Sequence, residues 1–248
     1  MDQPATLASF DNGLQAVVIG ASGGLGRAFT EHLAEHPKVG SVLACSRSGA
    51  APGHDRVRPW PVDLEDEKSI AAAAEQAGPD LDLVIVAAGV LHGDGFSPEK
   101  TWRALDPDAL ATVFRLNAIG PALAAKHFLP RLARDRKSVF AALSARVGSI
   151  EDNQLGGWHS YRASKAALNM LMRNFAIELA RTNKQAVCVG LHPGTVDTGL
   201  SKPFQGNVPD GKLFTPAFAA ARLLDVLDGL SARDTGGLFA WDGARIPF

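Results

Sequence analysis

Short apolar runs alternate with segments of helical periodicity along most of this chain. A run that is apolar at every position predicts a strand buried on both faces of a parallel sheet, and apolar residues at helical spacing predict a helix packed against it. The alternation predicts an α/β fold, a single domain over residues 1–248 with one doubly wound parallel sheet of about seven strands and helices on both faces. The predicted strands lie at 14–20, 40–46, 57–62, 81–88, 138–144, 185–191 and 236–241.

Prolines change the interpretation of two of these segments. Pro59 and Pro61 lie in the third run, and each removes a donor from the hydrogen-bond ladder, so this strand is expected at an edge of the sheet. The long helical segment after the fourth strand is interrupted by Gly120 and Pro121, which predicts a break in the helix just after Asn117. A buried Asn117 at this break is either structural or suited to holding a water.

A glycine-rich turn joins the first strand to a helical segment that starts at Arg27. Glycines permit positive φ and let backbone N–H groups and the positive end of a helix approach a phosphate closely. The turn therefore predicts a site for the pyrophosphate of a dinucleotide, with a purely structural tight turn as the alternative. The predicted contacts are Gly20, Ser22, Gly23, Gly24, Leu25 and Gly26.

The residues after the second strand indicate which dinucleotide is bound. An acidic side chain is expected there for the 2′-hydroxyl of NAD, and none is present. Ser46 and Arg47 occupy the position instead, and the guanidinium of Arg47 is suited to pairing with a 2′-phosphate. This pattern predicts NADP(H) in preference to NAD(H), with a solvated loop arginine as the alternative.

Further cofactor contacts are predicted after the third and fourth strands. Asp63 is interpreted as the N-cap of the next helix, and its carboxylate or the backbone amide of Leu64 as a contact to the adenine edge. Ala88 and Gly89 follow the fourth strand, and their small size leaves room for a cofactor ribose against the backbone.

Tyr161 and Lys165 lie one helical turn apart in a segment predicted as a helix at 159–182. A phenol titrates near ~10, and an ammonium beside it lowers the pKa of the phenol, which makes it a usable general acid or base. Tyr161 is also the only tyrosine in the chain. The alternative is an ordinary surface helix, but the position of the pair after the fifth strand favours a catalytic role.

The sixth strand delivers a polar segment to the carboxyl edge of the sheet, where open α/β sheets bind ligands. His192 opens this segment, and a lone histidine before proline is interpreted as structural. Residues 199–215 are rich in Gly, Pro and Lys, with apolar residues at Phe204, Val208 and Phe214. This composition predicts a mobile lid over a hydrophobic substrate.

Composition and charge narrow the class of partner. The chain has 248 residues, 46% of them hydrophobic, which is enough for one substantial core. Its formal net charge is −1, so we expect no strongly basic surface of the kind that binds nucleic acid or an anionic membrane. Cys45 and Cys188 lie in apolar runs that predict buried, reduced thiols, so a cytoplasmic location is expected. Asp2 argues against a leader peptide, and no apolar run approaches the ~20 residues of a membrane span. A small-molecule partner is expected, and no metal site is predicted.

Together these motifs resemble the short-chain dehydrogenase/reductase (SDR) family over essentially the whole chain. The segments at 143–150, 156–158, 161–169 and 191–198 are similar to the branch that contains C-factor-like proteins and the carbonyl reductase sniffer. The resemblance rests on Gly20-x-x-x-Gly24-x-Gly26, Asp63, Ala88-Gly89, Asn117, Tyr161-x-x-x-Lys165 and Pro193-Gly194, in the family's order.

The resemblance implies an oxidoreductase that interconverts a carbonyl and an alcohol, and Arg47 adds the expectation that its cofactor is NADP(H). By similarity, Tyr161 exchanges a proton with the substrate oxygen while hydride passes between the nicotinamide and the carbon. Lys165 lowers the pKa of the tyrosine and binds the nicotinamide ribose, a serine steadies the carbonyl, and Asn117 holds a water that relays protons. The segment that seats the carboxamide corresponds to Pro193, Gly194, Val196 and Thr198.

The chain departs from the family pattern at the catalytic serine. That serine stands three residues before a glycine, and counting back from Gly148 gives Ala145. We expect Ser144 to take the role through a local bulge at the end of the strand. Ser149 is the second candidate, and the third alternative is that no serine serves.

The resemblance also implies a homodimer or homotetramer packed through the helices of Asn117 and Tyr161. The apolar lid residues favour an apolar or aromatic substrate. A rival interpretation is a nucleotide-binding, C-factor-like signalling or interaction protein with little turnover, which the displaced serine supports. Intact Tyr161, Lys165 and Asn117 favour the enzyme, because a protein that only binds nucleotide has no need of a proton relay.

Overall fold

The computed structural model describes residues 5–248 of the chain, so Asp2 lies outside it. Within these residues no helix is long and apolar enough to cross a membrane. The helices are α1 Gly24–Glu35, α2 Glu67–Ala77, α3 Pro107–Phe114, α4 Gly120–Phe128, α5 His159–Thr182 and α6 Pro216–Gly229. The strands are β1 Leu14–Ile19, β2 Val39–Ser46, β3 Val57–Pro61, β4 Leu83–Val86, β5 Ser138–Leu143, β6 Ala186–His192, β7 Thr195–Val196, β8 Leu213–Phe214, β9 Leu238–Ala240 and β10 Arg245–Ile246.

Eight of the strands form one sheet in the order β10-β9-β6-β5-β4-β1-β2-β3. All neighbours are parallel except β10, which pairs antiparallel with β9. The chain winds outward in both directions from the junction of β1 and β4, which confirms the predicted fold class. The edge position of β3 confirms the interpretation of Pro59 and Pro61, whereas the short β10 was not predicted.

Apolar side chains pack on both faces of the sheet, because alternate residues of a strand point to opposite faces. Val18 packs in the layer of α1 and α6, where Phe29 and Leu223 are fully buried. Its neighbour Val17 packs in the layer of α2, α4 and α5, where Phe128 is fully buried. Each large side chain removed from water contributes about 1.5–3 kcal/mol. Both layers hold the helices against the sheet.

The start of α2 corrects one prediction from the sequence. The carboxylate of Asp66 accepts the N–H of Lys68 at 3.0 Å and caps the helix. The carboxylate of Asp63 instead accepts the N–H of Glu65 at 3.0 Å, in a turn ahead of the helix. The interpretation of Asp63 as the N-cap is therefore wrong, because a second aspartate three residues later takes that position.

The helix break predicted near Asn117 is present. A π turn at Arg115–Ile119 separates α3 from α4, and a 3-10 turn at Leu129–Arg131 follows. Pro121 has no N–H to give to the carbonyl four residues earlier, so a regular α-helix does not continue through this point. Asn117 lies at the centre of the π turn and is fully buried.

The predicted lid at 199–215 is more ordered than an irregular loop. It contains a 3-10 helix at Lys202–Asn207 and the strand β8, which pairs parallel with β7. Phe204 lines a cavity, but Phe214 packs against Phe218 and Trp241, with ring centroids 4.9 and 4.6 Å away. Phe214 therefore packs on the body of the protein and not on the cavity, which anchors this end of the predicted lid.

Glu99, in the loop after β4, caps the helix that carries Tyr161. Its carboxylate accepts hydrogen bonds from the hydroxyl of Ser160 and from the backbone N–H of Ser160 at 3.2 Å, in the first turn of α5. The residue is buried, and its charge lies at the positive end of the helix dipole. Burial raises the pKa of this carboxyl, but the hydrogen bonds from Ser160 and from its own backbone N–H, together with the charge of His159, hold the pKa below its usual value.

The Glu99→Gln variant is expected to lower the free energy of unfolding at pH 7 by about 1–2 kcal/mol, because neutral amide acceptors form weaker bonds than a carboxylate. A folded pKa below the unfolded value of ~4.3 means that the stabilisation is present above that value and is lost as the pH falls through the folded pKa. Urea unfolding from pH 7 to pH 3 should therefore show the two proteins converging in acid. Glu35→Gln, at an exposed carboxylate, is the matched control and should change stability little; a difference between wild type and Glu99→Gln that is constant with pH would contradict the assignment.

Candidate active site

A cavity of about 480 Å³ opens at the carboxyl ends of β1, β4, β5 and β6. It lies where the chain winds outward in two directions, the usual ligand site of an open α/β sheet. Among the residues predicted from the sequence, those near the glycine-rich turn and β4 that line it are Gly23, Gly24, Leu25, Ala88 and Gly89. The segment after β6 contributes Pro193, Gly194, Val196 and Thr198.

The glycine-rich turn leaves backbone amides available at the start of α1. Gly23 is the N-cap, and no side chain of the described chain caps this helix end, so its first N–H groups can bind an anion. A Cβ at Gly26 would lie 2.1 Å from the carbonyl oxygen of Gly20, so only glycine permits the close approach of α1 to β1. Gly20 and Gly26 thus shape the turn without lining the cavity, and Ser22 is exposed beside them.

Tyr161 and Lys165 both line the cavity and are buried, with 8% and 3% of their surfaces exposed. The ammonium of Lys165 donates to the carbonyl of Leu143 at 2.8 Å and lies 5.7 Å from the centre of the Tyr161 ring. A Cβ at Gly89 would lie 3.4 Å from Lys165 Nζ, so glycine keeps the approach to the ammonium open. The structure thus brings the predicted pair together at one wall of the cavity.

Burial of Tyr161 and Lys165 shifts the pKa of both side chains and so determines which form of each is present at neutral pH. Burial raises the pKa of Tyr161 to about 12 and lowers the pKa of Lys165 to about 7. The direction for Tyr161 is opposite to the one predicted from a neighbouring ammonium, because desolvation outweighs the attraction of the neighbouring charge. At neutral pH the phenol keeps its proton, and Lys165 is poised between its two forms.

Asn117 lies behind the cavity wall, and protein partners use both N–H groups of its amide and one of the two lone pairs of its Oδ1. Its Oδ1 accepts the N–H of Val90 at 2.8 Å, and its Nδ2 donates to the carbonyl of Val90 at 2.8 Å and to Ser164 Oγ at 3.1 Å. A Cβ at Gly89 would lie 3.1 Å from Oδ1. The side chain therefore joins the loop after β4 to α5, directly behind Lys165.

Ser144 lines the cavity, and its hydroxyl donates to Oδ1 of Asn169 at 2.6 Å. The pairing of β5 with β6 is regular up to Leu143, so the expected bulge is absent from this strand. Ala145, the next residue, packs against Tyr161. The hydroxyl of Ser149 accepts the N–H of Asp152 at 3.0 Å and does not line this cavity.

The other predicted cofactor contacts lie outside the cavity. Ser46 is buried and its hydroxyl donates to the carbonyl of Ala50 at 2.8 Å, whereas Arg47 is exposed. Leu64 is buried and Asp63 is half-buried. Because Ser46 pairs with Pro61 at the end of β3, these residues cluster at one end of the sheet, beside the glycine-rich turn.

The part of the cavity beyond Tyr161 is apolar and aromatic. The ring of Trp158 packs edge-on against Tyr161 at 6.3 Å and against Phe204 at 5.2 Å. Trp158 has φ of 49°, a left-handed conformation that costs a non-glycine residue about 1–2 kcal/mol. His92 Nε2 lies 3.1 Å from the carbonyl oxygen of Gly199, and its ring packs on Phe204, so the lid contacts the loop after β4.

Sequence reasoning missed several residues of this wall. Leu91, Val147, Trp158 and Leu200 were not assigned to the site, and His192, interpreted as structural, also lines the cavity. Trp158 had a usable signal, because it directly follows two glycines and precedes the helix of Tyr161. Leu91 and Leu200 lie in irregular segments, where no periodicity indicates which way a side chain points.

Two relatives of known name match most of this chain. The chain is 33% identical over 236 residues to 1-hydroxy-2-glutathionyl-2-methyl-3-butene dehydrogenase of Rhodococcus sp. (strain AD45), covering 93% of this chain and 97% of the relative. It is 34% identical over 171 residues to C-signal of Myxococcus xanthus, covering 68% of this chain and 93% of the relative.

Solved structures and a family model agree with these matches. An NADPH-bound carbonyl reductase from chicken fatty liver superposes with a TM-score of 0.83 at 28% identity, covering 96% of this chain and 100% of that chain. The carbonyl reductase Sniffer of D. melanogaster shares the fold, with a TM-score of 0.82 at 20% identity and coverage of 95% and 100%. Residues 15–208 match the family model described as short chain dehydrogenase. The chain therefore belongs to the short-chain dehydrogenase/reductase family and is an oxidoreductase of that type.

Proposed function

We propose that this protein is an NADP(H)-dependent oxidoreductase that interconverts a carbonyl and an alcohol by hydride transfer, with Tyr161 as the general acid and base. The observation that carries the proposal is the burial of the Tyr161 phenol and the Lys165 ammonium in the same cavity as the glycine-rich turn. A general acid has to reach the substrate, and the Tyr161 phenol lines the cavity while both side chains are largely removed from bulk water.

The residues present fit a dinucleotide. The uncapped amides of Gly24 and Leu25 suit a pyrophosphate, and a Cβ at Gly89 would crowd both Asn117 Oδ1 and Lys165 Nζ, at 3.1 and 3.4 Å. A ribose against this wall would receive hydrogen bonds from Lys165. When bound, the nicotinamide supplies or accepts the hydride. The carboxamide would be held by the segment Pro193, Gly194, Val196 and Thr198.

Proton transfer is the task of the chain's own residues. In carbonyl reduction Tyr161 donates its phenolic proton to the substrate oxygen, and its raised pKa keeps it in the acid form at neutral pH. The phenolate that remains is removed from water, so a protonated Lys165 beside it supplies the compensating charge. Since the pKa of Lys165 is about 7, the lysine can pass a proton on, and Asn117 would hold the water that resupplies it. Alcohol oxidation follows the same path in reverse.

The substrate is proposed to be an apolar or aromatic carbonyl compound or its alcohol. The support is the wall beyond Tyr161, where Trp158, Phe204 and Leu91 leave an apolar space beneath the lid. Aromatic walls bind flat apolar groups with favourable stacking geometry. The Rhodococcus relative acts, by its name, on a glutathionyl-substituted alcohol, which is compatible with a cavity that opens to solvent on one side.

Assembly and location are part of the same proposal. Exposed apolar residues on the helices of Asn117 and Tyr161 support a homodimer or homotetramer, among them Ile119, Met170 and Ile177. Cys45 and Cys188 are free and buried, and burial raises the pKa of each thiol to about 12, which suits a reducing cytoplasm.

A second candidate function is signalling or interaction with little turnover. The observation in its favour is the 34% identity to C-signal of Myxococcus xanthus. Ala145 beside Tyr161, where the family carries a hydroxyl, adds to it. Cofactor binding without turnover that depends on Tyr161 would favour this candidate.

The Tyr161→Phe variant is expected to lower kcat by at least ~10²-fold, because it removes the only phenolic proton while it keeps the ring. The measurement is NADPH oxidation against a panel of aldehydes and ketones. The binding affinity for NADPH and the melting temperature serve as controls and should be unchanged. Turnover that survives the substitution would overturn the role of Tyr161.

Ser144 is proposed to steady the substrate carbonyl, and Ser144→Ala is expected to lower kcat/KM about tenfold, the worth of one hydrogen bond. The matched variant Ala145→Ser adds a hydroxyl at the residue that packs against Tyr161 and should restore activity in the Ser144→Ala background. Full turnover of Ser144→Ala alone would contradict the assignment and favour Ser149 or no serine.

Arg47 is proposed to pair with the 2′-phosphate of NADP(H). The Arg47→Asp variant is expected to lower the ratio of kcat/KM for NADPH over NADH by at least about tenfold, because it removes a charge-assisted bond and adds repulsion. Arg58→Asp makes the same change of charge at an exposed position of β3 and should leave the ratio nearly constant. An unchanged ratio in Arg47→Asp would show that Arg47 is a solvated loop residue.

A further inference from the structure

His192, the last residue of β6, carries a polar atom that the fold leaves without a partner. The ring lines the cavity, and its Nδ1 is buried yet makes no hydrogen bond with any residue that the structure describes. Native proteins leave few buried polar atoms unsatisfied, and those that remain often serve a ligand. The earlier interpretation of His192 as structural gives no account of this atom.

Three other polar side chains of the cavity already have a hydrogen-bond partner within the protein. Ser144 donates to Asn169 Oδ1, and Ser201 donates to the carbonyl of Val196. Lys165 donates to the carbonyl of Leu143 at 2.8 Å. His192 Nδ1 differs from these three groups, because it is buried and has no hydrogen-bond partner in the described chain.

The position of His192 relates it to substrate binding. The pairing of Leu143 with Leu191 places His192 beside Ser144 at the carboxyl edge of the sheet, and Pro193 follows it directly. Burial lowers the pKa of the ring to about 4, the charge of Arg146 lowers it further, and Asp242 opposes this. The imidazole is thus neutral at pH 7, with one nitrogen that donates and one that accepts.

We propose that Nδ1 of His192 binds a second oxygen of the substrate, close to the reacting carbon, and so selects carbonyl compounds that carry a neighbouring hydroxyl or keto group. The inference rests on the proposed function, in which Tyr161 takes the reacting oxygen. A neutral imidazole suits this task, since one tautomer donates to a keto oxygen and the other accepts from a hydroxyl.

Kinetics with acetophenone and 2-hydroxyacetophenone test the proposal, because the two ketones differ only in the second oxygen. We expect wild type to favour the hydroxy ketone by about tenfold in kcat/KM, the worth of one hydrogen bond. His192→Leu should lose this preference through slower turnover of the hydroxy ketone alone. His192→Asn, whose amide lies near the place of Nδ1, should keep it, and His192→Gln, whose amide lies near Nε2, should not.

Two kinetic results would overturn the inference. One is an equal loss on both ketones in His192→Leu, which would make the residue merely structural. The other is a wild-type enzyme that reduces both ketones equally well. NADPH oxidation that fails across the whole panel of carbonyl compounds would instead contradict the proposed function.

Nuclear magnetic resonance of the protein labelled with ¹⁵N-histidine gives a readout that needs no turnover. With NADP⁺ bound, 2-hydroxyacetophenone should shift the Nδ1 resonance of His192, and acetophenone should leave it in place. A shift caused by NADP⁺ alone would assign the atom to the cofactor and overturn the inference. Absence of any shift with the hydroxy ketone would overturn it as well, whatever the kinetics of the enzyme.

Discussion

A buried ammonium beside a buried phenol is the constraint on which the rest of this site depends. Lys165 has left water, which is costly for a charged group, and its ammonium has one protein acceptor, the carbonyl of Leu143. That carbonyl is fixed by the regular pairing of β5 with β6. Asn117 and Glu99 hold the two ends of the loop after β4 against the same helix. The end of β5 and the loop after β4 are thus hydrogen-bonded to α5, and these bonds keep Lys165 and Tyr161 in position.

The sequence predicted those parts of the molecule in which a local rule decides the outcome. The predicted bounds of α5 match the structure, because its helical period begins after Gly156 and Gly157 and ends at the polar residues 183–185. The edge position of β3 and the break at Asn117 followed from proline, which removes a hydrogen-bond donor wherever it stands. The same rules do not discriminate between two suitable residues that lie close together in the sequence. The N-cap of α2 was therefore assigned to Asp63, whereas the structure places it at Asp66.

Other features depend on contacts between distant segments and were beyond such rules. The spacing of Tyr161 and Lys165 predicts that they are neighbours but not how dry their surroundings are, so the direction of the tyrosine pKa was wrong. Leu91 and Leu200 reach the cavity from irregular loops. The proposed cofactor side of the cavity is built from strand ends and glycines, whereas the proposed substrate side is built from such loops. Relatives with one fold can therefore act on different substrates.

The π turn between α3 and α4 lets these two consecutive helices pack against different neighbours. An α-helix turns by ~100° per residue, so a single extra residue rotates everything that follows it by about that angle. Here α3 lies against α5, while α4 also packs against α2. A straight helix would present one continuous stripe to one neighbour. The π turn shifts the phase of the helical repeat, and Asn117, the residue at its centre, is free to join the loop after β4 to α5.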